Sequence, residues 1–156
     1  MTHPLTLTLK IKQDPQTLAA LEDLKNSFAE HVQPLIEAAL RKSKLVHFAR
    51  VAVIGDNEYI QVITEYDGGH REYTEFFRRE LTPVFAKIFS LADGVPDVND
   101  PAAFFEFSKN ANVRTLGLST DGAKDMNGDQ SGWLFSAYDH AEVKDVLGAL
   151  HAEAAE

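Results

Sequence analysis

The sequence predicts an α+β protein in which helices shield one face of an antiparallel sheet, and three patterns predict it. Residues 5–12 alternate apolar and polar with period two, and residues 45–66 hold two strand-like runs joined by a short turn. Segments 14–41 and 70–88 carry apolar residues at helical spacing.

In the first run, Leu5, Leu7, Leu9 and Ile11 share one face, while Thr6, Thr8, Lys10 and Lys12 share the other. Asp14-Pro15 opens the first helix, with Asp as cap and Pro at the first helical position, where a missing N–H costs nothing. Leu18, Leu21, Leu24, Phe28, Val32, Leu35 and Ala39 are its predicted buried stripe, and Pro34 bends it. Leu45–Ile54 and Tyr59–Tyr66 read as a hairpin around Gly55-Asp56-Asn57-Glu58. With Asp56 and Asn57 as the loop, His47 faces Tyr66, Ala49 faces Thr64, Val51 faces Val62 and Val53 faces Ile60. The opposite face then carries Phe48, Arg50, Gln61, Ile63 and Glu65, with Arg50 diagonal to Gln61 and Glu65. A one-residue slip would exchange the two faces.

Asp67-Gly68-Gly69 ends the hairpin. Tyr73, Phe76, Phe77, Leu81, Val84, Phe85 and Ile88 mark the next buried stripe, and Arg71, Glu75 and Arg79 are spaced to pair outside it. Pro83 interrupts this helix as Pro34 interrupts the first. Beyond a Gly/Pro/Asp linker at 93–100, Ala102–Ser108 reads as a short aromatic helix and Val113–Ser119 as a strand. Thr120–Gly132 reads as a mobile loop or a wide hairpin tip, Trp133–Tyr138 as a last strand and Ala141–Ala152 as a closing helix.

A length of 156 residues fits one domain, with residues 5–92 as its core and 93–156 as an acidic extension. The formal net charge is −9, and residues 93–156 hold 4 Lys/Arg against 12 Asp/Glu. Such a chain offers no basic face to nucleic acid or to an anionic membrane. Without Cys there are no disulfides, thiolate nucleophiles or thiolate metal sites. The start of the chain lacks signal-peptide character and no run reaches bilayer-spanning length, so the expected location is the cytoplasm.

Strand–helix–strand–strand–helix–strand is the ferredoxin-like βαββαβ order. His47-Phe48-Ala49-Arg50, the strand end Glu65-Tyr66-Asp67-Gly68, Tyr73 and Phe76-Phe77 together resemble small bacterial proteins of the dimeric α/β-barrel superfamily. The resemblance spans residues 5–92 and implies two sheets meeting face to face in a homodimer. Members of that superfamily include cofactor-independent monooxygenases, isomerases, haem-dependent enzymes and proteins of unknown role. The uncovered sheet face, with Phe48, Tyr59, Ile63, Thr6 and Thr8, independently favours an interface.

His47, Tyr66 and His70 are the candidate catalytic residues. An imidazole near neutral pKa can shuttle protons or ligate haem iron, and the alternative is a histidine satisfied by Tyr or backbone. Arg50, Gln61 and Glu65 are candidate binders of an anionic or carbonyl-bearing molecule, or else an ion pair that sets dimer register. Tyr73 and Phe77 belong to an aromatic stripe, extended by Phe104, Phe105 and Phe107, that lines a hydrophobic pocket or simply fills the core. His31, His140 and His151 read as surface helix residues. No HxH or HxxxH pair exists, and Asp121, Asp125, Asn127 and Asp129 miss the EF-hand pattern, so no metal site is expected.

The expected function is that of a homodimeric protein with a small-molecule pocket between sheet and helices, oxygenase- or peroxidase-like in chemistry. Its ligand would be small and hydrophobic or carbonyl-bearing. No cofactor is demanded by the residues, and haem is the one that the resemblance admits. The rival is a non-catalytic ligand-binding or structural dimer that docks a basic partner through its acidic C-terminal third.

Overall fold

The computed structural model describes residues 1–155. Strands β1 (Thr2–Lys10), β2 (Val46–Ile54) and β3 (Tyr59–Asp67) form an antiparallel sheet in the order β1-β3-β2. The period-two pattern places Leu5, Leu7 and Leu9 of β1 and Ile60, Val62 and Tyr66 of β3 on the buried face. β1 begins three residues before its predicted start, taking in His3 and Pro4. The backbone of neighbouring Thr6 bonds outward to Asn112 and Val113, so Pro4, of the same parity, points its missing donor away from β3.

The hairpin keeps the predicted register from Phe48↔Glu65 to Ile54↔Tyr59 and loses it one residue earlier. Val46, not His47, pairs with Tyr66. His47 is therefore the extra residue of a β-bulge, and the bulge re-aims its ring to the opposite face of the sheet. The expected His47–Tyr66 pair does not form. Asp56 and Asn57 both adopt positive φ, the backbone that a tight hairpin loop needs.

Helices α1 (Pro15–Ser27) and α2 (Gln33–Ser43) run on through a π-helical turn at Phe28–Val32. Asp14 caps α1, its side chain accepting from Thr17 N at 2.9 Å. Pro34 cannot donate a helical bond, and the turn before it is widened, with Gln33 N–H bonding Phe28 O five residues back. The widened turn adds one residue and advances the phase of the buried stripe. Leu35, expected inside, is 47% exposed, and Ile36 packs on the core instead.

Helices α3 (His70–Glu80) and α4 (Thr82–Phe89) break at Leu81, with Pro83 in the first turn of α4. Tyr73, Phe77, Leu81, Val84, Phe85 and Ile88 are buried as predicted. Glu75 pairs with Arg78 at 2.5 Å and with Arg79 at 3.8 Å, whereas Arg71 stacks 4.1 Å above the Phe105 ring. Helix α5 (Pro101–Ala111) brings Phe104 against Phe85 and Phe89, with ring centroids 5.1 and 5.7 Å apart. The aromatic stripe is thus packed core, with a void of only about 30 Å³ between helices and sheet.

Neither late strand forms. Residues 112–142 run as irregular backbone before α6 (Val143–Ala155). Asn112 and Val113 lie along the outer edge of β1, Val113 N donating to Thr6 O at 2.9 Å. Segments 113–119 and 131–135 meet through Trp133 N to Leu116 O and Ser119 N to Ser131 O, both 2.9 Å. A Cβ on Gly132 would lie 2.0 Å from Thr115 O, so the approach is too close for a continuous ladder of side-chain-bearing residues. No helix among the described residues is long and apolar enough to cross a membrane.

Candidate functional site

The helix-free face of the sheet is not simply bare. Residues 119–142 fold across one end of it and enclose an open cleft of about 870 Å³. Pro4, Phe48, Arg50, Ile63 and Glu65 form its floor, and Trp133, Leu134, Phe135 and Tyr138 form its wall. The pocket expected between sheet and helices lies instead on the opposite side of the sheet.

The bulge delivers His47 to the polar end of this cleft. Its Nε2 donates to Asp67 Oδ1 at 2.9 Å, since a carboxylate can only accept. Nδ1 is then the lone-pair nitrogen, and it accepts from the Tyr138 hydroxyl at 3.2 Å. Asp67 is buried and fully used. Thr2 Oγ1 donates to Oδ1 at 2.5 Å, and the backbone N–H of Val143, at the start of α6, donates to Oδ2 at 2.7 Å. One carboxylate therefore orients the imidazole and ties down the helix that follows the cleft wall.

Arg50 and Glu65 share the cleft floor, but they form no ion pair within 4 Å among the described residues. Burial pushes the Glu65 carboxyl up, against the pull of Arg50 and His47. Gln61 lies on the same face and bonds Thr8 Oγ1 at 3.2 Å, outside the cleft.

Tyr66 and His70, grouped with His47 by sequence, sit on the helix side of the sheet. Tyr66 Oη is 2.6 Å from His70 Nδ1, and His70 Nε2 is 2.8 Å from Lys124 O. Tyr66 stacks on Tyr73 at 3.8 Å, whose hydroxyl meets Thr64 Oγ1 at 2.7 Å. Burial pushes both phenols up, so both keep their hydroxyl protons. Tyr73 and Phe77 are core residues and do not reach the cleft. His31 lies in the π turn and His151 in α6, both exposed, whereas His140 is in a turn rather than a helix and faces Asp121 at 3.5 Å.

His70 does not fit haem, because both its ring nitrogens are engaged and the adjoining void is only about 20 Å³. Among the described residues, no group of three or more His, Asp or Glu is placed to hold a metal ion.

Thr2, Asp67, Trp133 and Tyr138 were absent from the sequence-derived site. Asp67 alone carried a signal, as an acid closing a strand before Gly68-Gly69. Comparison with known proteins finds no matching family model, no matching curated protein and no matching solved structure.

Proposed function

We propose that this chain is a homodimeric, ferredoxin-like protein of the dimeric α/β-barrel type that binds a small hydrophobic, carbonyl-bearing ligand in the His47–Arg50–Glu65 cleft. The carrying observation is the oriented Asp67–His47 pair at the polar end of a cleft walled by Phe48, Ile63, Trp133 and Phe135. A volume of about 870 Å³ lies in the range of small-molecule sites, with apolar walls and a few convergent polar groups. The ferredoxin-like reading draws support from Asn112–Val113, which lie antiparallel along the outer edge of β1, where a fourth strand would stand.

In this reading the chemistry is proton transfer. A ligand that displaces the Tyr138 hydroxyl meets the lone pair of His47 Nδ1, and Asp67 stabilises the imidazolium formed. Arg50 donates to the ligand carbonyl or carboxylate. Part of the acidic C-terminal third serves as cleft wall: Asp121, held by Ser119 and facing His140, lines the cleft, while Asp125 is used within its own loop, accepting from Asn127 N and Asp129 N. That use favours ligand binding over docking of a basic partner.

Trp133 is the single Trp of the chain and stands on the cleft wall, so its emission reports occupancy. Titration with 2-acetonaphthone and 2-naphthoate is expected to quench it saturably at micromolar concentration. Arg50→Ala should weaken 2-naphthoate about tenfold, ~1.4 kcal/mol, with less effect on the ketone. Absence of saturable quenching by either probe up to millimolar concentration would overturn the ligand assignment.

A further inference from the structure

His3 and His70 pack with ring centroids 4.4 Å apart beneath the segment that walls the cleft. His3 Nδ1 is buried and is the side-chain nitrogen left without a hydrogen-bond partner among the described residues. His70 is saturated: Lys124 O accepts from its Nε2–H, so Nδ1 must accept from Tyr66. A proton added at His3 Nδ1 would be buried without an acceptor, beside another imidazole.

One stretch of chain serves both places. Ser131 and Gly132 line the small void against His3 and His70 on one side and the large cleft on the other. Ala123 and Trp133 line the cleft, and Lys124, between Ala123 and Asp125, is the residue that His70 holds.

We infer that His3 works a proton-operated latch: neutral, it lets residues 123–133 seat over it against the sheet, and protonated, it draws water into the void, lifts that segment and widens the cleft.

The groups around His3 act in both directions. His70 and the amino group of Met1 oppose its protonation, while Asp67 and Asp121 favour it. Tyr66 of β3 and Arg114 and Asp125 of the C-terminal segment also border the void. Desolvation outweighs the rest and lowers His3 from 6.5 to about 4. A base with a lowered pKa stabilises the closed form fully above its ordinary value. That advantage is lost as pH falls from 6.5 towards 4, by up to about tenfold in the closed-to-open ratio per pH unit.

The latch does not depend on the cleft having a ligand, and its test uses none. Acrylamide quenching of Trp133 is followed from pH 7.5 to about 4 in the full chain, with far-UV circular dichroism reporting the sheet and helices. The expected result is a rise in quenching between pH 6.5 and 4 while the dichroism holds. His3→Phe, which fills the same space without titrating, should abolish that rise. Histidine C2–H proton shifts of the unaltered protein read the site directly and do not rely on the variant folding. His3 titrating near 6.5, Trp133 remaining shielded throughout, or an unchanged transition in His3→Phe would each overturn the latch.

Discussion

Asp67 takes three hydrogen bonds on two oxygens while almost completely withdrawn from water. Its removal strands a threonine hydroxyl, an imidazole N–H and a helix-terminal amide together. Asp67→Ala is therefore expected to cost about 3 kcal/mol in urea unfolding, well above a surface substitution. Asp67→Asn should cost less, because its one amide oxygen still accepts, but it turns an NH₂ towards a donor and misorients His47. If Asp67→Ala unfolds at the urea midpoint of the unaltered protein, the three bonds carry no net stability. At this scale the sequence was informative where chemistry is local. Asp14 before Pro15 read as a cap and is one, and Arg50 and Glu65 read as neighbours on one face and line one cleft. His47 was misplaced because a bulge leaves no mark in a run of alternating residues.

Among the elements, the hairpin was legible because its period-two pattern and Asp56-Asn57 turn agree, and the pairing from residue 48 to residue 65 follows from them. The first helix was legible in extent but not in phase. Its buried stripe was extrapolated at constant pitch, and the π turn before Pro34 exchanges Leu35 for Ile36. Segments 113–119 and 133–138 have strand-like composition, yet they depend on glycine contacts that composition cannot place. Gly132 is the tightest of these. Gly132→Ala must push Thr115 aside, with an expected loss of about 2–4 kcal/mol in thermal or urea unfolding and a red-shifted Trp133 emission. Unaltered stability in that variant would mean that the 115/132 contact relaxes freely.

For the whole molecule, the asymmetry of the sheet matters most. Helices cover most of one face, leaving Ala49, Val51 and Val53 of β2 half-buried, and the C-terminal segment covers part of the other. Phe48 at 71% and Ile54 at 42% exposure, with Phe135 at 86% on the covering segment, remain open to water in a single copy. Dimerisation through this face would bury them. Sedimentation velocity at micromolar concentration is expected to show a dimer that Ile54→Glu, placed away from the cleft, converts to monomer. A monomer in the unaltered protein would refute the barrel-type assembly and leave the cleft standing. The α+β class, an antiparallel sheet with helices against one face, was legible from patterning alone, whereas the side of the sheet that holds the cleft was not, since the wall comes from the segment with the least regular pattern.

The unpaired position at His47 has a consequence for how this scaffold can change. Every ladder partner from Val46↔Tyr66 to Ile54↔Tyr59 is already met without that residue. Excising its single codon would leave the strands in register, yet remove the imidazole that joins Asp67 to Tyr138 at the end of the cleft. The proposed proton-transfer group and the sheet are separable here at the cost of one amino acid, so a relative could lose or acquire that imidazole without re-registering the sheet.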